Sequence, residues 1–599
     1  MTSENLEQPS MPASEQRGLW KYWLPRLFGI DTRTLALFRV GISVMLILDI
    51  IFRWMYVKAH YSDMGVLPRG VYISQFTGKY LISIHLSSGL ILIQSILFAI
   101  ALVFAISMLI GHRTTLSTIV SWFLLMSVQN RNYDILDGGD VILRMLLFWA
   151  IFLPIGAMFS VDRAWSERPK EGPKIVFSGA TVAIMLQFVL LYVYASLLKT
   201  GHDWQNGSAV FYALHLDIFA TPLAKYLLQF PDVMKFLSHF TLQFELYGPF
   251  LMFVPFALAR TRVLLVLMFM GMHLGFGLCM ELGIFPYIAW CAACLFLPSE
   301  FWQWWERRLQ PSEKPEAVVV LYDMQKPSYQ KALKLLRCFF FVRGVNLQAV
   351  EGETLPEGTK GWGVVQGENI LDEEASMNAF LARSTVFGGV LMGVGRFAWR
   401  MKWWLFLALA STLRPSMLRA RTGLIPGVIA FLLSIYVLIW NLDTGTGMAK
   451  GWSDGWRELG WLLRIDQKWG LFAPNPMKED GWYVIPGKLL NGKVVDLYRN
   501  GQPVTWKKPS DIATSFGGQR WRKYYLNLWS KEFASRRLYL ARYLCQEWNR
   551  KHYGQELVHE VKIYYMLEYT RHYGPETPQK KILWTGTCFK KQKKRPAKR

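Results

Sequence analysis

The sequence predicts a polytopic α-helical membrane protein of about nine spans, with a small cytoplasmic βαβ-like insert and a C-terminal α+β domain outside the bilayer. Three observations predict it. Hydrophobic residues make up 52% of the 599 positions and charged residues only 18%, against about 25% charged in soluble proteins. Apolar runs near the roughly 20 residues that a spanning helix needs recur through the first half and once more at 424–440. The basic excess, 67 Lys+Arg against 43 Asp+Glu for a net +24, falls partly in short loops beside those runs. Such loops account for a basic chain without nucleic acid, so no nucleic-acid partner is expected. Disorder is excluded, because apolar content this high collapses or inserts.

The expected spans are 35–54, 90–110, 116–128, 141–159, 175–198, 236–258, 263–280, 284–297 and 424–440, with 403–410 a re-entrant or interfacial candidate. No run reads as a cleaved signal peptide, since the polar lead before Leu35 is too long. Arg17, Lys21, Arg26 and Arg33 precede the first run, and Arg113, Arg163, Arg168, Lys170 and Lys174 occupy later loops on the same side. The positive-inside rule places these in the cytoplasm, so an odd span count puts the C-terminal domain outside. A bacterial inner membrane is the expected location.

The organisation reads as a polar N-terminus (1–30), a transmembrane bundle (31–300), the insert (315–376), a linker with the last span (377–440), the outer domain (441–589) and a basic tail (590–599). In the insert, 317–322 reads as a buried strand, 330–341 as a helix and 340–350 as a second strand. Its stretch Leu321-Tyr322-Asp323-Met324-Gln325-Lys326-Pro327-Ser328-Tyr329 resembles the opening of the thioredoxin-like DCC family. Lys326 and Tyr329 stand where that family has cysteines, so thiol chemistry is excluded there. In the outer domain, 481–485, 492–498 and 503–506 read as short strands around an Asn491-Gly492 turn, 521–547 as a helix and 561–568 as a closing strand. Cys545 and Cys588 are candidates for a disulfide there. Cys291 and Cys294 form a CxxC within an apolar run, where small soft residues at a helix interface are the simpler reading.

The histidines show no metal-ligand spacing, and no metal is expected. Charged residues within spans are more informative, because burying them in lipid is costly. They are Arg39, Asp49, Arg144, Lys199, Glu245 and His273. Asp49 stands four residues before Arg53, a helical ion-pair spacing. Lys199, at the outer end of its span, either snorkels to the interface or acts as a general base.

The stretch Ser196-Leu-Leu-Lys199-Thr-Gly-His-Asp-Trp204-Gln-Asn-Gly207 resembles the HTTM (horizontally transferred transmembrane) family, which includes vitamin K-dependent γ-carboxylase. Ala36-Leu-Phe-Arg39, Gly65-Val-Leu-Pro68-Arg69, Asn130-Arg-Asn-Tyr133, Gly138-Gly-Asp140, Phe152-Leu-Pro154, His273 with Gly283-Ile-Phe285-Pro286, and Phe472-Ala-Pro-Asn-Pro476 with Asp480-Gly-Trp482 carry the same resemblance.

The resemblance implies a quinone-dependent carboxylase or epoxidase-like enzyme, a lyase in class, with Lys199 as an outward-facing base. The implied cofactor is reduced vitamin K, with oxygen and carbon dioxide as co-substrates. Implied partners are membrane lipid and a secreted peptide or protein substrate. Asn130 and Arg131 are implied catalytic neighbours, and His202, Asp203, Trp204, Arg39, Arg144 and His273 implied pocket residues. The carboxylases carry a histidine where this chain has Arg131, a departure that touches the full carboxylation cycle. Arg131 instead brings a fixed positive charge suited to a carboxylate or oxyanion. A non-catalytic membrane scaffold or maturation factor is the alternative, and a transporter a further one.

Overall fold

The computed structural model describes residues 13–75, 82–166, 174–308, 318–339, 342, 344–355, 361–367, 369–381, 383, 418–448, 455–571 and 577–589. The 403–410 segment and the basic tail 590–599 lie outside the described residues. The bundle contains Thr32–Met55 (α1), Ile91–Ile110 (α2), Thr114–Arg131 (α3), Gly138–Ala150 (α4), Gly179–Leu197 (α5), Pro231–Leu251 (α6), Leu258–Cys279 (α7) and Phe285–Cys294 (α8). Cys291 packs directly over Gly41 of α1, so the CxxC belongs to a helix interface.

The insert is a four-stranded sheet, Val318–Asp323 (β1), Val345–Val350 (β2), Trp362–Gln366 (β3) and Asn369–Ile370 (β4), in the order β2-β1-β3-β4. β1 and β2 pair in parallel across the helix Pro327–Phe339 (α9), and β3 adds to β1 antiparallel. The βαβ unit read from the sequence is thus present, with a hairpin extending it. Tyr329 is packed into its core. Ala332 and Leu335 of α9 cluster with Val161 and Trp165 of the bundle, and Trp165 donates its indole N–H to the Lys331 carbonyl at 3.1 Å.

A last apolar helix, Leu424–Thr446 (α10), crosses beside α5. A Cβ on Gly179 would lie 2.1 Å from the Gly427 carbonyl, so the two backbones meet at a small-residue crossing of the kind membrane helices use. Five helices, α1, α2, α5, α7 and α10, are long and apolar enough to cross a bilayer among the described residues. At 1.5 Å per residue, the 13 residues of α4 reach only about 20 Å of a roughly 30 Å core, and α8 has 10. Beyond these, α3 and α6 are long but carry too many polar groups.

The C-terminal domain contains Glu479–Val484 (β5), Pro486–Leu489 (β6), Val494–Asp496 (β7), Gln519–Trp529 (α11), Arg536–Asn549 (α12), Val558–Tyr569 (β8) and Gln579–Thr587 (β9). The 561–568 segment, expected to close the sheet, is its centre: β8 pairs with β9, β5 and β6. The expected helix 521–547 is two helices, parted where Ser530 caps a 3-10 turn. The 503–506 stretch is irregular, and only a single bridge, Asp496 to Gln502, precedes it.

Cys545 of α12 and Cys588 beyond β9 form a disulfide across 43 residues. Closing a loop of that length stabilises by about 2–4 kcal/mol. Cys588→Ser is therefore expected to lower the unfolding midpoint of the C-terminal domain and to make it insensitive to reductant, as differential scanning fluorimetry would record.

The insert docks by the chain that follows α4, near the carbonyls of Ile155, Met158 and Phe159 that Arg39 binds. The C-terminal domain docks at the other end of α1, through Asp49, Tyr56 and Lys58, with Arg53 beside Asp49. Arg39 and Arg53 are 14 residues apart, about 21 Å along a helix. The two soluble parts therefore sit at opposite ends of the bundle.

Candidate functional site

Helix α5 gives way after Leu197 to a short turn ending in Gly201, and this places Lys199 at the helix end. Ser196 donates to the Leu242 carbonyl at 2.9 Å and holds α5 against α6. Lys199 is 5% exposed and forms an ion pair with Glu245 of α6. Its Nζ also lies 5.0 Å from the centroid of the Trp204 ring.

The same turn ties the bundle to the C-terminal segment. Trp204 donates its indole N–H to the Phe472 carbonyl at 2.9 Å, Gly201 N–H donates to the Pro474 carbonyl at 3.0 Å, and Asp203 N–H donates to Asn475 Oδ1 at 3.0 Å. The two stretches, 199–204 and 472–475, thus form one structural unit across a separation of some 270 residues.

Lys199 faces a cavity of about 780 Å³, within the size range of small-molecule sites. α5, α6 and α7 form its sides, and residues 470–477 with α11 of the C-terminal domain complete it. Most of the lining is apolar, including Phe240, Met268, Met272, Phe276 and Phe285. The polar groups fall into two sets. Lys199 and Glu245 lie beside Tyr192 and His273, which share a 2.7 Å hydrogen bond between the Tyr192 hydroxyl and His273 Nε2. His273 is 2% exposed, and its Nδ1 has no hydrogen-bond partner among the described residues.

The second set, Asp137, Glu281, Gln519, Arg522 and Lys523, lines the part of the cavity against the C-terminal domain. Gln519 donates to Asp137, and Arg522 binds the Glu281 carbonyl. Burial pushes the Lys523 ammonium below its usual range, opposed in part by Asp137 and Asp140. Among the described residues, no group of three His, Cys, Asp or Glu is arranged to hold a metal ion.

Of the nine site residues that the resemblance implies, the structure brings Lys199, Trp204 and His273 to the cavity, together with Glu245. The other six lie elsewhere. Arg39 caps the carbonyls of Ile155, Met158 and Phe159. Arg144 donates to the carbonyls of Arg464 and Asp466 at 2.7 and 2.8 Å and to Gln129 at 2.7 Å. Asn130 accepts from Arg464 and donates to the Ile82 carbonyl at 2.8 Å. Arg131 donates to the Leu67 carbonyl at 3.0 Å. His202 is exposed and bonds Asn206 at 3.1 Å, and Asp203 pairs with Lys478 at 3.0 Å. Sequence reasoning missed Tyr192, Arg522 and Lys523. The run Gln519-Arg-Trp-Arg-Lys523, basic and aromatic on an otherwise ordinary helix, was the available signal.

These features define an integral membrane protein whose apolar cavity is shared between its helices and a C-terminal domain. Residues 29–302 match the HTTM domain family model, so this part of the chain is similar to an HTTM domain. The match spans α1 to α8 and includes Lys199, Glu245 and His273. Comparison with curated proteins and with solved structures gives no match.

Proposed function

We propose that the protein is a quinone-dependent membrane enzyme of γ-carboxylase type, a carboxylase or hydroquinone epoxidase, with Lys199 as its base. One observation carries the reading: Lys199 lies in the wall of an apolar cavity of about 780 Å³ rather than in packed protein. The residues fit a hydroquinone. Aromatic and Met side chains surround the space, and His273 Nδ1 is an orphaned buried polar atom beside it.

When bound, a reduced vitamin K supplies an acidic hydroxyl and, with oxygen, the oxidising power for the reaction. Lys199 and Glu245 supply the proton handling. Moving the shared proton from Nζ to the carboxylate converts a buried ion pair into two neutral groups, an arrangement that a dry site tolerates. The amine lone pair is then free to take a proton from the cavity side. Trp204 holds the nitrogen in place by its ring face. Arg522 and Lys523 would meet an acidic group of a second substrate arriving from the C-terminal domain.

The same reading has nine spans, the N-terminus and the DCC-like insert in the cytoplasm, and the C-terminal domain outside a bacterial inner membrane. The placement of the two soluble parts at opposite ends of α1 supports it. So does the disulfide, which persists in oxidising compartments.

A second reading, a non-catalytic scaffold or maturation factor for a secreted partner, draws on the Lys199–Glu245 pair itself, since an ion-paired lysine needs no catalytic role. Anaerobically reduced menaquinone offered to the protein in nanodiscs, followed by oxygen and bicarbonate, separates the two. The enzyme reading expects consumption of the hydroquinone by the native chain and none by Lys199→Ala. Equal consumption by both, or none by the native chain, returns the scaffold.

A further inference from the structure

The cavity wall contributed by α7 carries two glycines among its larger side chains. Met268, Gly271, Met272, Gly275 and Phe276 fall at helical spacing on one stripe that lines the cavity. Both glycines are exposed, and a Cβ added at either would meet nothing within 4 Å. Glycine costs about 1 kcal/mol against alanine within a helix, and no close packing requires it here. On α6, Phe236, Phe240 and Phe244 stack in sequence with centroids 5.9 and 5.3 Å apart and planes within 19° and 11°, and Phe244 packs on Phe269 of α7 at 4.4 Å. Phe240 lines the cavity directly. α6 packs mainly against α5 rather than against α7. Two open backbone positions on α7 thus share the cavity with Phe240 of α6, whose flat ring suits a planar group.

The second observation is independent of the glycines. His273, on the same helix and 2% exposed, lines this cavity with Nδ1 unpartnered, while Nε2 is held by Tyr192. A buried polar atom left without a partner is costly, and one beside an open cavity is poised for a ligand that offers a hydrogen-bonding oxygen.

We infer that the cavity opens sideways into the hydrocarbon between α6 and α7, over Gly271 and Gly275, and that a lipid with a planar polar head and a long apolar tail lodges there, its head bonded to His273 Nδ1 and its tail leaving across the glycines. This rests on the quinone reading for the nature of the head, but the route and the His273 contact are separate from Lys199 chemistry. His273 is a positioning residue, and Gly271 and Gly275 select for the tail.

Native mass spectrometry of the full chain in nanodiscs tests the assignment with two probes, menadione (head alone) and a long-chain menaquinone. Leucine at either glycine favours the helix, and its Cβ would meet nothing within 4 Å, so Gly271→Leu and Gly275→Leu should fold with unchanged melting. The expected result is a tenfold or greater loss of long-chain menaquinone from Gly275→Leu, with menadione binding within twofold of native. His273→Phe should weaken both probes about equally. Equal loss of both probes from the glycine variants, or loss of neither, overturns the lateral opening. Unchanged binding in His273→Phe overturns the contact. Failure of the native chain to bind either probe overturns the quinone reading along with it, whereas tail-selective binding without turnover leaves the opening standing and removes only the enzymatic role.

Discussion

Replacing Arg520 with methionine should cost the protein about 3–5 kcal/mol, the usual penalty for removing one partner of a buried ion network. Arg520 projects from α11 of the C-terminal domain into the end of the bundle. Its guanidinium donates to Asp140 at 2.5 and 2.9 Å and to Asp49 at 2.6 Å. Arg53 completes the arrangement by binding Asp49 at 2.7 Å and Asp140 from the other side. Two arginines and two aspartates alternate in a ring in which each side chain is at most 6% exposed. Without Arg520, two buried carboxylates share a single guanidinium, and the C-terminal domain loses its deepest anchor. The expected outcome is a fall in melting temperature in detergent and new tryptic cleavage between the bundle and residue 455. Pairing the change with Asp140→Asn removes the surplus charge and should restore a substantial part of the lost stability. Unchanged melting in Arg520→Met would mean that the ring contributes nothing to docking.

Half of that ring was legible in the sequence. Asp49 and Arg53 stand at helical ion-pair spacing, and the pair forms. Asp140 belonged to a recognised motif, although its task is structural: it completes a capping box with Asp137 at the start of α4 and receives both arginines. Arg520 could not be foreseen, because periodicity describes neighbours along the chain and says nothing of a partner 380 residues away. The same limit explains Arg39 and Arg144. An arginine within an apolar run signals that something buried must accept its protons, and a carboxylate or a ligand is the natural guess. Here the acceptors are mostly main-chain carbonyls, at the end of α4 and in the 464–466 segment, which leave no trace in composition. Lys199 was legible through its surroundings, since the 199–204 and 472–475 stretches that marked it are the ones that interlock. The open positions at Gly271 and Gly275 were not, because glycines in a membrane helix usually signify close packing, and only the folded chain reveals open space beside these two.

Glu245→Gln should reduce any hydroquinone turnover by about 10²–10⁴-fold, the usual contribution of a positioned acid–base group, if the pair with Lys199 shuttles a proton. Lys199→Ala removes the proposed base and should reduce it at least as far, and combining the two should cost little more, because groups that act as one unit are not additive. Stability and activity must be read together here. Lys199 and Glu245 are both buried, so either single change leaves a charge without its partner and destabilises the bundle. The double change Lys199→Met with Glu245→Gln leaves no surplus charge and is expected to melt near the native temperature. A purely structural pair would then regain whatever function the single variants lost, since packing is all it contributes. A catalytic pair would recover its melting point and stay inactive. Turnover and melting measured on the same variants therefore separate a proton-sharing pair from a structural one, and native-level turnover in the well-folded Lys199→Met, Glu245→Gln variant would rule out Lys199 as the base.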